Sequence, residues 1–189
     1  SRSFPFVSKV KDINFIKIAT KIMIGAEYDI NVPECKYTGV KVPQFSFNRL
    51  ANADNRLGVE MLSTGEVACF GENYKEAYLK ALKATGFKIK NKCNVLISIG
   101  SYKDKKELYD SIKLLNINGF KLYATSGTAR FYKDDGINIE NLNNEEIIEY
   151  IKNGFFGLVI NISISNKIRK NMKTNGYFVR RLSIDYGIS

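Results

Sequence analysis

The 189-residue chain contains no histidine. That absence excludes His-based zinc sites, the Ser/His/Asp and Cys/His nucleophile arrangements, and any histidine general acid or base. Cysteine is scarce. Cys35, Cys69 and Cys93 are odd in number, far apart and outside any CxxC spacing, so the sequence points to no disulfide framework or metal knuckle and to a reducing, cytoplasmic setting. No apolar run approaches the roughly 20 residues that a membrane helix needs, so no membrane partner is expected. The start, Ser1 to Val10, lacks an initiator Met and a signal-like apolar stretch, as expected of a piece of a longer chain. What is present is a hydrophobic fraction of 44%, suited to a packed core, and 29 Lys and Arg against 19 Asp and Glu. That excess of ten positive charges calls for an anionic partner.

Periodicity divides the chain. Phe15, Ile18, Ala19, Ile22, Met23 and Ala26 recur at helical spacing, and the stripe is expected to be core. Residues 37–47 read as a strand interrupted at Gly39 and Pro43, Val67–Phe70 as a second, and Tyr74–Leu82 as a helix closed by Gly86. The basic stretch Lys88–Lys92 marks the expected domain boundary. Beyond it, strands at Val95–Ile99, Phe120–Ala124, Ile137–Ile139 and Leu158–Ile162 alternate with helices. These are expected at Lys105–Ile117, Thr128–Asp134 (stopped by Gly136), Glu145–Lys152 and Tyr177–Tyr186. Such alternation predicts an α/β fold, an open parallel sheet with helices on both faces.

Ligands of such sheets bind beyond the carboxyl ends of the strands, which singles out the loops after Ile99, Ala124 and Ile162. Thr125-Ser126-Gly127-Thr128 opens a helix whose free N–H groups favour a phosphate, although a plain Ser/Thr cap gives the same pattern. Lys167, Arg169, Lys170, Lys173, Arg180 and Arg181 fall between Asn161 and Ile184 with no acidic residue among them. This suits either a solvated face or a wall for a polyphosphate. No regular aromatic interleaving accompanies them, so a nucleic-acid partner is not expected. Arg180-Arg181-Leu182-Ser183 has the form of a basophilic kinase site, expected to be hidden in a helix. Glu60, Glu66 and Glu72 are expected to be ordinary surface or ion-pair carboxylates.

Three stretches carry a family resemblance: Ser1-Arg2-Ser3-Phe4-Pro5-Phe6-Val7-Ser8-Lys9, Lys41-Val42-Pro43-Gln44-Phe45-Ser46-Phe47, and above all Gly58-Val59-Glu60-Met61-Leu62-Ser63-Thr64-Gly65-Glu66-Val67. The chain resembles the synthetase part of glutamine-dependent carbamoyl phosphate synthase of the eukaryotic pyrimidine-pathway type, and its Lys, Asn and Ile bias is similar to apicomplexan sequences. The likeness continues through Leu96–Lys103, Thr125–Ala129, Leu158–Asn161 and Gly176–Leu182. It implies that residues 1–90 end the second, carbamate-phosphorylating ATP-grasp unit and that residues 93–189 are a methylglyoxal-synthase-like (MGS-like) allosteric domain. Effector phosphate contacts carried over from the family match Ser98, Lys105, Thr125, Thr128 and Asn161, which fall in or beside the three strand-end loops already singled out.

The resemblance implies no catalytic residue, metal or cofactor in this piece; ATP and Mg²⁺ serve the parent enzyme. The partners implied are a nucleotide effector, such as UMP, UTP or phosphoribosyl pyrophosphate, and upstream synthetase and glutaminase domains. Two departures bear on the effector: Asn144 stands where some bacterial members carry lysine, and the loop Ile162–Lys170 has no glycine. The alternatives are a methylglyoxal-synthase-type lyase, which in that family relies on an aspartate and a histidine, and a basic nucleic-acid module. Substitution of Lys105 or Thr128 is expected to leave the melting temperature nearly unchanged.

Overall fold

A computed structural model describes residues 3–45, 63–89, 91–164 and 175–188. These divide into two compact units, one taking residues 3–45 and 63–86, the other the described residues from 87 onward.

In the first unit, helices α1 (Ser3–Lys11) and α2 (Phe15–Met23) precede the antiparallel pair β1 (Thr38–Gln44) and β2 (Gly65–Gly71), on which α3 (Tyr74–Ala84) packs. Asn73 caps α3 by accepting from the Glu76 N–H, and Gly86 ends it at φ +88°. Ala77 and Ala81 are fully buried, and their small side chains let the helix come close to the sheet. β1 is continuous across Gly39 and Pro43, where an interruption was expected; among the described residues it pairs with β2 alone, and a strand edge left without a partner there tolerates a residue lacking an N–H. The α2 stripe departs further from expectation. Ile18 and Ala19 are half-buried, but Ile22 and Met23 are exposed, because periodicity identifies an apolar face without specifying what covers it.

The second unit is the expected α/β layer structure. Its order is β3 (Asn94–Ile99), α4 (Tyr102–Glu107), α5 (Tyr109–Ile117), β4 (Lys121–Thr125), α6 (Ser126–Asp134), β5 (Ile139–Leu142), α7 (Asn144–Lys152), β6 (Phe156–Ile162) and α8 (Asn175–Asp185). All strand pairs in its sheet are parallel, in the order β5-β4-β3-β6. Alternation along β3 sends Val95, Ile97 and Ile99 to one face, where they meet Ile112 of α5 and Ala129 and Tyr132 of α6. Leu96 joins the other, packing with Ile147 and Ile151 of α7 and Val179 of α8.

Two boundaries differ from expectation. The helix read as Lys105–Ile117 starts earlier, at Tyr102 with Ser101 as its cap, and breaks at Leu108 into α4 and α5. Leu108, Ile112 and Leu115 still share the core face, so the apolar stripe runs through the break and conceals it. The helix expected from Thr128 begins instead at Ser126. Ile97 lies at the centre of the sheet without solvent exposure, whereas Ile148 of α7 is 37% exposed. In thermal and denaturant unfolding, Ile97→Ala should cost about 2–5 kcal/mol, and Ile148→Ala less than about 1 kcal/mol.

Candidate functional site

The chain runs from β3 to β4 to β5 in one direction across the sheet and then returns to the far side of β3 for β6. Open α/β sheets take ligands beyond the carboxyl ends of the strands at such a reversal, here those of β3 and β6. Ser98 and Asn161 are register partners near those ends, both half-buried. The Asn161 Nδ2 donates to the Gly176 carbonyl at the start of α8. Its Oδ1 is buried and has no hydrogen-bond partner among the described residues. The loop after β3 closes on the exit of β6: the Gly100 N–H donates to the Ile162 carbonyl at 2.8 Å. A Cβ on Gly100 would lie 2.5 Å from Ile164 Cγ1 and 3.0 Å from its backbone nitrogen. Gly100 is needed for this close approach.

One strand over, α6 presents its first turn. Its cap residue, Thr125, makes no side-chain bond to the helix N–H groups. The N–H groups of Ser126, Gly127 and Thr128 lack intrahelical acceptors by the geometry of a helix start. Ser126 and Gly127 are exposed, and the nearest atom to a Cβ added on Gly127 is Lys105 Nζ at 3.8 Å. That ammonium donates to the Gly127 carbonyl at 2.9 Å. The backbone of Lys105 is fixed in turn, since its carbonyl accepts from the Tyr132 hydroxyl at 2.9 Å and Tyr102 packs edge-on against Phe131. Burial pushes the Tyr132 phenol up to about 12. A cation is therefore held beside the positive end of a helix, an arrangement that an anion placed between them would relieve.

Thr128 is placed differently from an exposed contact. It is 1% exposed, and its hydroxyl accepts from the Ile99 N–H and donates to the Ile99 carbonyl, each at 3.1 Å. The Thr125 hydroxyl donates to it at 3.2 Å. Removing the Thr128 hydroxyl should therefore destabilise the fold, contrary to the sequence-based expectation, because a buried, fully bonded group would be lost. The roles of Tyr132 and of the Ile99 peptide escaped the sequence reading, as both act across 27 or more residues of chain.

Of the basic stretch, Lys167, Arg169, Lys170 and Lys173 lie outside the described residues. Arg180 stacks over Tyr177 and Arg181 pairs with Asp185 at 2.9 Å, so an acid just beyond the stretch engages one of its cations. Ser183 is buried and donates to the Val179 carbonyl, out of reach of a kinase. Glu66 pairs with Lys41, the Glu72 N–H donates to Glu76, and Glu60 lies outside the described residues. Residues 46–47 and 58–62 of the quoted motifs also lie outside them. Among the described residues no helix is long and apolar enough to cross a membrane.

A family model described as MGS-like domain matches residues 107–189, taking in Thr125, Thr128 and Asn161. Ser98 and Lys105 precede that match, but whole-chain relatives include them. The chain is 49% identical to the multifunctional protein pyrABCN of Emericella nidulans, over 98% of this chain and 9% of that protein. It is 47% identical to the multifunctional protein CAD of Squalus acanthias, over 100% of this chain and 9% of the relative. The mitochondrial carbamoyl-phosphate synthase [ammonia] of Aquarana catesbeiana is 39% identical over 99% of this chain and 13% of its own length. The chain thus spans about a tenth of these relatives, and the resemblance carried by the motifs extends over all of it. Among solved structures, a methylglyoxal synthase from Elizabethkingia anophelis gives a TM-score of 0.38 at 12% identity, covering 49% of this chain and 66% of the other, a likeness too slight to argue from.

The two glycines of the second unit's strand-end loops should separate in thermal unfolding. Gly100→Ala must displace Ile164 and should cost about 1–3 kcal/mol. Gly127→Ala meets only the Lys105 ammonium, at an ordinary contact distance of 3.8 Å, and should be neutral or stabilising by up to about 1 kcal/mol. Equal losses at both positions would contradict the description of these loops.

Proposed function

We propose that this chain is the regulatory C-terminal region of a glutamine-dependent carbamoyl phosphate synthase of the pyrimidine pathway. Residues 1–90 close the carbamate-phosphorylating ATP-grasp unit, and residues 93–189 are the allosteric domain. The parent joins bicarbonate, glutamine-derived ammonia and two ATP, with Mg²⁺, into carbamoyl phosphate. Near-half identity to multifunctional pyrABCN and CAD proteins across the whole chain supports this assignment. The three free thiols suit a cytoplasmic protein.

The effector is a phosphorylated small molecule, with UMP, UTP and phosphoribosyl pyrophosphate as leading candidates. The observation that carries this reading is the uncapped first turn of α6 facing the Lys105 ammonium. A phosphate seated there takes the N–H groups of Ser126 to Thr128, a charge-assisted bond from Lys105 and a proton from Thr125. Ser98 and Asn161 lie near the neighbouring ends of β3 and β6, toward which the rest of the effector extends. An ammonium, hydroxyls and an amide do not fit Mg²⁺, which prefers carboxylate and water oxygens, so no metal step is assigned to this site. Regulation then follows from linkage: the effector biases the parent between two states to the extent that it binds one better than the other. A methylglyoxal-synthase-type lyase would need the histidine that this chain lacks.

Calorimetric titration at fixed salt with UMP, UTP, IMP and phosphoribosyl pyrophosphate tests this reading. Lys105→Ala should weaken the bound ligand roughly 10- to 100-fold, the effect of losing one charge-assisted hydrogen bond of about 1.5–3 kcal/mol. Its stability should stay within about 0.5 kcal/mol of the parent chain. Loss of binding on Arg169→Ala and Lys170→Ala, with Lys105→Ala unaffected, would move the phosphate to the basic stretch. Supplied with ATP, Mg²⁺, bicarbonate and carbamoyl phosphate, the chain alone should transfer no phosphoryl group in either direction. Turnover that tracks with purification would refute the assignment.

A further inference from the structure

We propose that the hydroxyl of Thr128 positions the effector site and is not itself one of its ligand contacts. The proposal rests on the phosphate-binding reading above. A threonine hydroxyl offers one proton and two lone pairs. In Thr128 all three are committed: the proton to the Ile99 carbonyl, the lone pairs to the Ile99 N–H and to the Thr125 hydroxyl. A phosphate presents acceptor oxygens and needs donors. Thr128 has no second proton to give, and its side chain is closed off from solvent.

Thr125 is in a different position. It is half-buried, and its hydroxyl can turn its proton from Thr128 to a ligand while Thr128 keeps both bonds to Ile99. The Thr128 hydroxyl thus acts as a clamp between the last residue of β3 and the first turn of α6. Ile99 leads directly into Gly100, which is bonded to Ile162 and pressed against Ile164. Through this clamp the row of N–H groups on α6 is set relative to the exits of both β3 and β6. Its contribution to affinity is to hold those groups, with Lys105, where one anion can reach them all.

Thr128→Ser preserves every bond of the clamp, and Thr128→Val preserves the shape without them. Two readouts separate a clamp from a contact: amide hydrogen exchange at Ile99 in the ligand-free protein, and calorimetric titration with UTP. Thr128→Ser should match the parent chain in both. Thr128→Val should speed Ile99 exchange by at least about tenfold and raise the UTP dissociation constant roughly tenfold. Ile147→Ala, which opens the core on the other face of the sheet, should destabilise the protein and leave UTP affinity within about twofold. If Thr128→Val does not fold, Thr128→Ala is measured in its place with the same expectation.

Weakened UTP binding with unchanged Ile99 exchange would make Thr128 a ligand contact and overturn the proposal. So would a loss of affinity in Thr128→Ser as large as in the valine or alanine variant, or a matching loss in Ile147→Ala. Failure of the parent chain to bind UTP or any other phosphorylated ligand of the panel would overturn the effector reading itself, and the positional role with it.

Discussion

The hydroxyl of Thr128, bonded to both backbone groups of Ile99 and to Thr125, fastens the entry of α6 to the exit of β3. Strand-end loops carry exposed backbone polar groups, and left to themselves they sample many conformations. Here one buried side chain fixes two of them. The Gly100 contacts with Ile162 and Ile164 then bring in the third. The placement of the β3 and β6 exits, the uncapped turn of α6 and Lys105 relative to one another depends on that fastening.

Electrostatics supplies the second half of the arrangement. Lys105 sits in the last turn of α4, where its charge favours the negative end of that helix, while its ammonium lies beside the positive end of α6. The Tyr132 hydroxyl holds the Lys105 carbonyl, so α4 cannot drift away without breaking a bond to a buried phenol. On the proposed reading, the donors are held in place for an anion that would reconcile two neighbouring positive centres. The ordering cost is met during folding instead of at binding, which is the meaning of preorganisation.

Much of this could be read from the amino-acid order. The strict alternation after residue 92 shows the layered α/β unit, because burial on both faces of a parallel sheet leaves few other patterns. The same alternation marks the three strand-end loops, and family-specific motifs then name Ser98, Lys105, Thr125, Thr128 and Asn161 within or beside them. What could not be read lies in long-range bonds and in cover. Nothing local in the sequence tells that Thr128 is saturated by Ile99, 29 residues away, or that Tyr132 reaches Lys105. Leu108 breaks a helix inside an unbroken apolar stripe, and the α2 stripe looks like core yet leaves Met23 84% exposed.

The central claim is that a phosphorylated effector is held at the first turn of α6. Backbone amide resonances followed during titration with UTP test it most directly, since each N–H reports on its own surroundings. The account predicts the largest shifts at Ser126, Gly127 and Thr128, saturating together with smaller ones at Ser98 and Asn161. Saturable shifts centred on α1, α2 or the β1–β2 pair, with the first turn of α6 unmoved, would contradict it.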